Sequence, residues 1–471
     1  MLFVLVRWQS VEPQFEPVAV AEPGVAQPEA LWPLGWLLRI FRPAPPAAVA
    51  LTDPKEIAEK YRYWQKRVLL ASIIGYATFY FVRKNLSIAL PFIEHGLGIR
   101  KANLGLFLTM HGLLYGVSKF GNGFLADRGN SRAFLVVGLA ASAVMNVLFG
   151  LSSAVVTMGV IWMLNGWFQG MGFPPCARLI TNWFPPKELA TKFSIWNSSH
   201  CIGGGLIVIL CGYLVTFGWR YCFFVPAGIA LACAAYIWLT TPDTPPSVGL
   251  PEVEGTHDGT PQQQSREEFR AFVLKQVFGN KYIWLVSAAN FFVYTVRYAV
   301  LDWGPTLLTE SKHIQISHAG WMVATFEACG LVGAIIGGRI TDRFLGGRAV
   351  RACLVYMILA TVSIVIFWKV PVQSELLTTA LLGAVGFFIY GPQCLLAVTA
   401  ANLATKRAAA TAVGLTSIFG YASTVLSGWG LGALADRYGW DAVFKVLLMA
   451  TIAGVLLFAA AWSAKAHGYN D

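Results

Sequence analysis

Two arginines stand where arginine is costly. Arg83 lies in YFVRKNLSIAL, inside an apolar run from Val68 to Ile93 that is long enough to cross a membrane. At about 1.5 Å of rise per residue it falls roughly 22 Å in from Val68, beyond the centre of a hydrocarbon core about 30 Å thick. Arg297, in VYTVRY, reaches nearly the same depth in a second run that begins at Ile283. A cation at the middle of a spanning helix costs about 2.5–3.5 kcal/mol on the insertion scale. One such arginine could snorkel outward, but two at matching depth need another explanation. A guanidinium stays charged when buried and holds phosphate oxygens with paired hydrogen bonds. Two of them on separate spans would clamp a dianion, and the ligand's charge would offset the cost of the pair.

Helical spacing groups other polar residues near that depth. Tyr76, Tyr80 and Arg83 share one face at i, i+4 and i+7, and Tyr294 shares a face with Arg297. His111, Tyr115 and Lys119 align on a second span, and Trp196 and His200 on a fifth. Lys119 has two readings, a ligand to the anion or a snorkelling lysine a short way before Asp127. His200 is either a ligand or a core histidine bonded to a neighbouring helix. Glu327, midway along an eighth span, reads as a charge partner for a basic residue in the resting protein. Lys84 points about 100° away from Arg83 and suits a salt bridge or snorkelling. Asp302 and Trp303 read as interface anchors, and His111 is left without a role.

The elements that carry these residues follow from composition. The 471 residues are 56% hydrophobic and 13% charged, with mean hydropathy +0.58. A soluble domain carries about 25% charged residues. Repeated apolar runs of spanning length make this an all-α polytopic membrane protein, and the strict alternation of a β-barrel is absent. The net charge of +11 arises from basic residues in short loops, as the positive-inside rule expects, so no nucleic-acid partner is needed to explain it. The eight cysteines lie in or beside apolar runs, with no C-x-x-C or Cys/His cluster. Neither a metal site nor a disulfide framework is expected. No P-loop, H-E-x-x-H or G-x-S-x-G pattern occurs, so neither an enzyme nor a cofactor is indicated. The glycines at Gly203 to Gly205 and around Gly430 suit close helix packing.

Twelve spans can be counted, starting near Val68, Ala102, Ala133, Val155, Ala190, Trp219, Ile283, His318, Ala349, Leu376, Ala408 and Asp441. Residues 1–60 form an N-terminal extension, disordered or interfacial, in which Leu31 to Pro43 suits a short interfacial helix. The extension adds no span, and transport is expected without it. Residues 61–240 make one six-helix half, 241–280 a cytoplasmic linker rich in Pro, Gly and Gln, and 281–471 the second half. Basic residues favour the even-numbered loops, which puts both termini in the cytoplasm of a plasma (inner) membrane protein. The halves also repeat. FYFVRK matches VYTVRY, and GFLADRGNSR around Asp127 and Arg128 matches GRITDRFLGGR around Asp342 and Arg343, both at an offset of about 215 residues. Repeated halves imply a carrier that rocks about a midplane site, with the D-R pairs as gating or charge-pairing elements.

The D-R motifs after spans two and eight resemble those of the major facilitator superfamily. YRYW, YFVRKN, YGVSKF, DRGNSR, FQGMGFPPCAR, WNSSHCIGGG, VYTVRYAVLDWGPT, FEACG and FGY together resemble the organophosphate:phosphate antiporter family, from Tyr61 to Tyr421. The resemblance implies twelve helices in two six-helix repeats. It also implies substrate contact by Arg83, Arg297, His200 and Lys119, with Tyr76, Tyr80, Trp196 and Tyr294 carried along. Hexose-phosphate permeases of the family hold an Asp and a Lys three residues apart on span eleven; here Val413 and Thr416 stand at those positions. The function implied is exchange of inorganic phosphate for a sugar phosphate or glycerol phosphate by alternating access. A second function, from a different class, is a sugar-phosphate sensor that signals to a membrane kinase. A proton-coupled symporter using Glu327, His111 and His200 would leave the arginine pair unexplained.

Overall fold

The computed structural model describes residues 40–126, 129–253, 271–345, 348–370 and 374–464. Among these residues there is no strand. In chain order the helices are α1 (Pro54–Leu97), α2 (Lys101–Ala126), α3 (Ser131–Leu151), α4 (Val155–Gln169), α5 (Phe173–Trp183), α6 (Pro186–Asn197), α7 (Ser199–Leu214) and α8 (Tyr221–Thr240). They continue as α9 (Lys281–Lys312), α10 (Ile316–Phe344), α11 (Ala349–Lys369), α12 (Glu375–Leu403), α13 (Thr405–Ala422) and α14 (Leu431–Ala460).

Among the described residues, eight segments are long and apolar enough to cross a membrane by length and composition. One of them, Thr411–Ala460, folds back at Gly439, whose φ of 75° suits glycine, and so supplies spans eleven and twelve. The first and second spans are α1 and α2, whose central charges dilute their hydropathy. The fourth is divided between α4 and α5 at Gly170–Gly172, and the fifth runs through α6 and α7. The count is twelve, in two sets of six.

Local sequence sets the helix ends. Asp53 caps α1 by accepting from the Lys55 amide at 3.2 Å, and Pro54 starts the helix. Asn130 and Asn280 cap α3 and α9 in the same way. The first helix therefore begins well before the apolar run at Val68. The chain ahead of it is tied down as well. Phe41 carbonyl accepts from Asn130 N (2.9 Å), while Ala47 N and Leu51 N donate to Pro246 and Gly249 (2.9 and 2.8 Å). Residues 41–51 are thus anchored on the loop before α3 and on the start of the polar linker. Most of Leu31 to Pro43, and the linker from 254 to 270, lie outside the described residues.

The two sets of six meet along α7 against α10 and along α2 against the segment joining α13 to α14. Gly203, in the triple glycine, allows α7 to approach α1 closely: a Cβ there would stand 2.3 Å from the Ala77 carbonyl oxygen. Polar ties between the sets gather at the end holding the C-terminus of α1 and the N-terminus of α2. Lys84 bonds Asp302 at 2.5 Å with both side chains buried, and Lys101 bridges Glu94 (2.6 Å) and Glu310 (3.1 Å). Asp436 accepts from the amides of Lys101 and Ala102, at the start of α2. Asp302 is therefore a partner across the interface rather than an interface anchor, and Trp303 is buried with its indole N–H on the Ser427 carbonyl.

Candidate functional site: a cationic cavity between the two sets of six

Arg83 follows a break in helix geometry. Val82 has φ −98° and ψ 17°, outside the helical range, and its carbonyl is freed from the regular ladder. Two fully buried asparagines take up that carbonyl: Asn146 on α3 and Asn165 on α4, each donating at 2.9 Å. Asn85 links Asn146 to the Cys222 carbonyl, both at 2.8 Å. A buried amide network of this kind fixes geometry, since leaving its groups unpaired would be costly. It holds the turn from which Arg83 projects. The Arg83 guanidinium lies 4.3 Å from the Tyr115 ring centroid and 5.6 Å from that of Tyr80.

Arg297 comes from α9 in the other set. It is 4% exposed, lies 4.8 Å from the Tyr390 ring, and has no hydrogen-bond partner for Nε or Nη2 among the described residues. Among the described residues neither guanidinium has a carboxylate within ion-pair distance. Asp302 is engaged by Lys84. Glu327 is 1% exposed; its Oε2 accepts from the Tyr390 hydroxyl at 2.6 Å, and its Oε1 has no donor within hydrogen-bond distance among the described residues. The expected ion pair for Glu327 is therefore replaced by a tyrosine.

Both arginines face one cavity of about 450 Å³. Seven of the eight expected ligand residues line it: Tyr76, Tyr80, Arg83, Lys119, His200, Tyr294 and Arg297. Trp196 stands behind the wall, with its indole N–H on the Ser72 carbonyl (3.2 Å) and its ring 4.9 Å from Tyr76. Lys119 does not snorkel. Its Nζ lies 3.9 Å from the Phe173 ring centroid and 3.4 Å from the Tyr421 hydroxyl, across the interface. His200 donates through Nδ1 to the Asn197 carbonyl and stacks on Tyr390 with ring planes 3° apart. His111 is outside the lining, buried against Trp162. Thr416 is also outside it, bonded to Ser287 and Asn290.

Six lining residues were not among the expected ligands: Tyr115, Phe173, Asn197, Tyr298, Gln393 and Tyr421. Tyr115 had the right helical register with Lys119. Gln393, a lone amide after Pro392 in an otherwise apolar run, carried a signal of its own. Its Oε1 is buried without a partner.

Of the proposed gating residues, Asp127 and Arg128 lie outside the described residues. Asp342 falls in the last turn of α10, and Arg343 beside it is exposed. Arg178, at the end of the FPPCAR motif, donates to the carbonyls of Ala126 and Gly129, on either side of the first D-R pair. Nearby, burial pushes the Asp243 carboxyl up, against the pull of the Arg132 amide and the Arg178 charge.

A family model described as Major Facilitator Superfamily matches residues 72–428. The glycerol-3-phosphate transporter of Bacillus subtilis (strain 168) is 37% identical over 439 residues, covering 91% of this chain and 98% of its own. A probable hexose phosphate transport protein of Chlamydia pneumoniae is 35% identical, covering 90% and 97%. The membrane sensor protein UhpC of Escherichia coli (strain K12) is 34% identical, covering 88% and 96%. Among solved structures, a bacterial homologue of the human lysosomal transporter Spinster, in an inward-facing and occupied conformation, superposes with a TM-score of 0.68. It is 18% identical, with 84% of this chain and 95% of that one covered, a likeness of fold.

Proposed function

This chain belongs to the organophosphate:phosphate antiporter family of the Major Facilitator Superfamily and is an integral membrane transporter rather than an enzyme, and we propose that it exchanges inorganic phosphate for a small organic phosphate by alternating access. The observation that carries this reading is the arginine pair. Arg83 and Arg297 come from opposite sets of helices, face one cavity, and lack a carboxylate partner among the described residues. A phosphate dianion between them would accept from both guanidiniums, with Lys119 and the tyrosine hydroxyls available to its remaining oxygens.

The same charges explain coupling. Occluding the empty cavity would enclose uncompensated cations, which is strongly unfavourable. A bound anion removes that penalty, so the loaded carrier switches and the empty one stays. Both termini lie in the cytoplasm on this reading. The end tied by Lys84–Asp302 and the Lys101 bridges is then the outer one. The organic group would occupy the aromatic and amide part of the cavity, beside Asn197, Tyr298 and Gln393.

Arg83→Lys and Arg297→Lys test the assignment in reconstituted vesicles. A point charge cannot reproduce a bidentate fork, so each variant should insert normally and lose phosphate exchange. Near-normal exchange in either would move the site elsewhere. Binding of a sugar phosphate without flux in the wild type would point instead to a sensor.

A further inference from the structure

We infer that His200, Cys201 and Glu327 form a binding site for a thiophilic divalent cation such as Zn²⁺, which would pin the two sets of helices together and block exchange. Glu327 comes from a distant part of the chain to the adjacent pair His200 and Cys201, and one donor atom from each lies within 4.8 Å of the others. His200 and Cys201 sit at the start of α7, and Glu327 sits on α10 in the other set. Imidazole, thiolate and carboxylate are the usual Zn²⁺ donors, and three protein ligands leave a fourth position free.

The geometry is close to what such an ion needs. With bonds of about 2.0–2.3 Å, tetrahedral ligand atoms stand roughly 3.3–3.7 Å apart. His200 Nε2 and Cys201 Sγ are already 3.3 Å apart. Glu327 lies within 4.8 Å of both, so its carboxylate has at most about 1.5 Å to close to reach that spacing.

Outer contacts are arranged as around a metal. His200 donates its Nδ1–H to the Asn197 carbonyl, which leaves the Nε2 lone pair toward Cys201. Tyr390 donates to Glu327 Oε2 and so orients the carboxylate. The other oxygen, Oε1, is buried with no donor within hydrogen-bond distance among the described residues. A buried carboxylate oxygen without a close donor is free to accept an electrophile.

The thiolate and the carboxylate limit the charge that the ion adds. Cys201 binds as thiolate and releases its proton to solvent, so the net change is +1 rather than +2. Arg297 lies near enough to interact with Glu327 and opposes that change. A phosphate oxygen in the fourth position would counter both. No electron transfer is involved.

Titration of the purified full-length protein with Co²⁺ tests the site, because a Co²⁺–thiolate bond gives a near-ultraviolet charge-transfer band. One saturable equivalent is expected. The band should vanish in Cys201→Ser and persist in Cys394→Ser, which removes an exposed thiol. Tyr390→Phe should weaken Co²⁺ binding about 10–100-fold through loss of the outer contact. In vesicles, Zn²⁺ should inhibit exchange by the wild type, reversibly with a chelator, and spare Cys201→Ser. Absence of the band in the wild-type protein would overturn the inference without any variant. So would a band, or Zn²⁺ inhibition, that survives Cys201→Ser. If the serine variant fails to insert, Cys201→Ala carries the same comparison.

Discussion

Replacing Asn165 with leucine should loosen the aim of Arg83 without unfolding the protein. Asn165 touches no cavity space. Its amide donates to the Val82 carbonyl at 2.9 Å, and its own oxygen is buried without a partner. Asn165→Leu therefore removes one hydrogen bond, worth about 0.5–1.5 kcal/mol, together with an unsatisfied acceptor. Val82 keeps its second donor, Asn146 at 2.9 Å, so the carbonyl is not orphaned. Stability should change by no more than about 1 kcal/mol. The holding energy lost is energy that fixed the non-helical turn before Arg83. If all of it appears in ligand binding, phosphate affinity falls by up to about tenfold, since 1.4 kcal/mol is a factor of ten. The double variant Asn146→Leu/Asn165→Leu strips both donors. It should cost more than the product of the single effects, because the two share one acceptor and its orphaning adds about 1–3 kcal/mol. The assay is phosphate binding to purified protein alongside thermal unfolding. Wild-type affinity in the double variant would refute the claim that this network positions Arg83. An affinity loss no larger than the loss of folded protein would refute it equally.

Gln393→Leu should lower affinity for an organic phosphate about tenfold more than affinity for inorganic phosphate, the loss of one hydrogen bond from a ligand hydroxyl; competition of each against labelled phosphate measures it, and equal losses would remove Gln393 from recognition of the organic group. Deleting residues 1–39 should leave exchange and stability unchanged. Deleting residues 1–53 also removes the Asp53 cap and the hydrogen bonds of Phe41, Ala47 and Leu51, so unfolding should become easier by about 1–3 kcal/mol, from one cap and up to three part-exposed hydrogen bonds. Identical melting of the two truncations would show that this strap contributes nothing.

Much of the candidate site's lining was legible because its signals are local or repeated. Arg83 and Arg297 announced themselves by an unfavourable position in two matching segments, and helical register placed Tyr76, Tyr80 and Tyr294 beside them. Twelve spans followed from apolar length, although α1 starts at Pro54, because a capped polar extension is helical without being hydrophobic. What the sequence hid depends on contacts between distant segments. Trp196 shares helical register with His200, yet the turn at Ser198 between α6 and α7 and the pull of the Ser72 carbonyl set its indole behind the wall. Lys84 and Asp302 are separated by 218 positions, and nothing local tells an interfacial aspartate from a buried one. Val82 is an ordinary valine in sequence; only the two asparagines from other spans explain why its peptide leaves the helix.

On the proposed mechanism, an anion must occupy the cavity before the carrier can turn over. Vesicles containing the purified wild-type protein, loaded with phosphate or left without internal anion, should be given labelled external phosphate. Rapid uptake only into the phosphate-loaded vesicles is the predicted result. Equal uptake into vesicles without internal anion would contradict the account, because the empty cationic site would then cross as readily as the filled one.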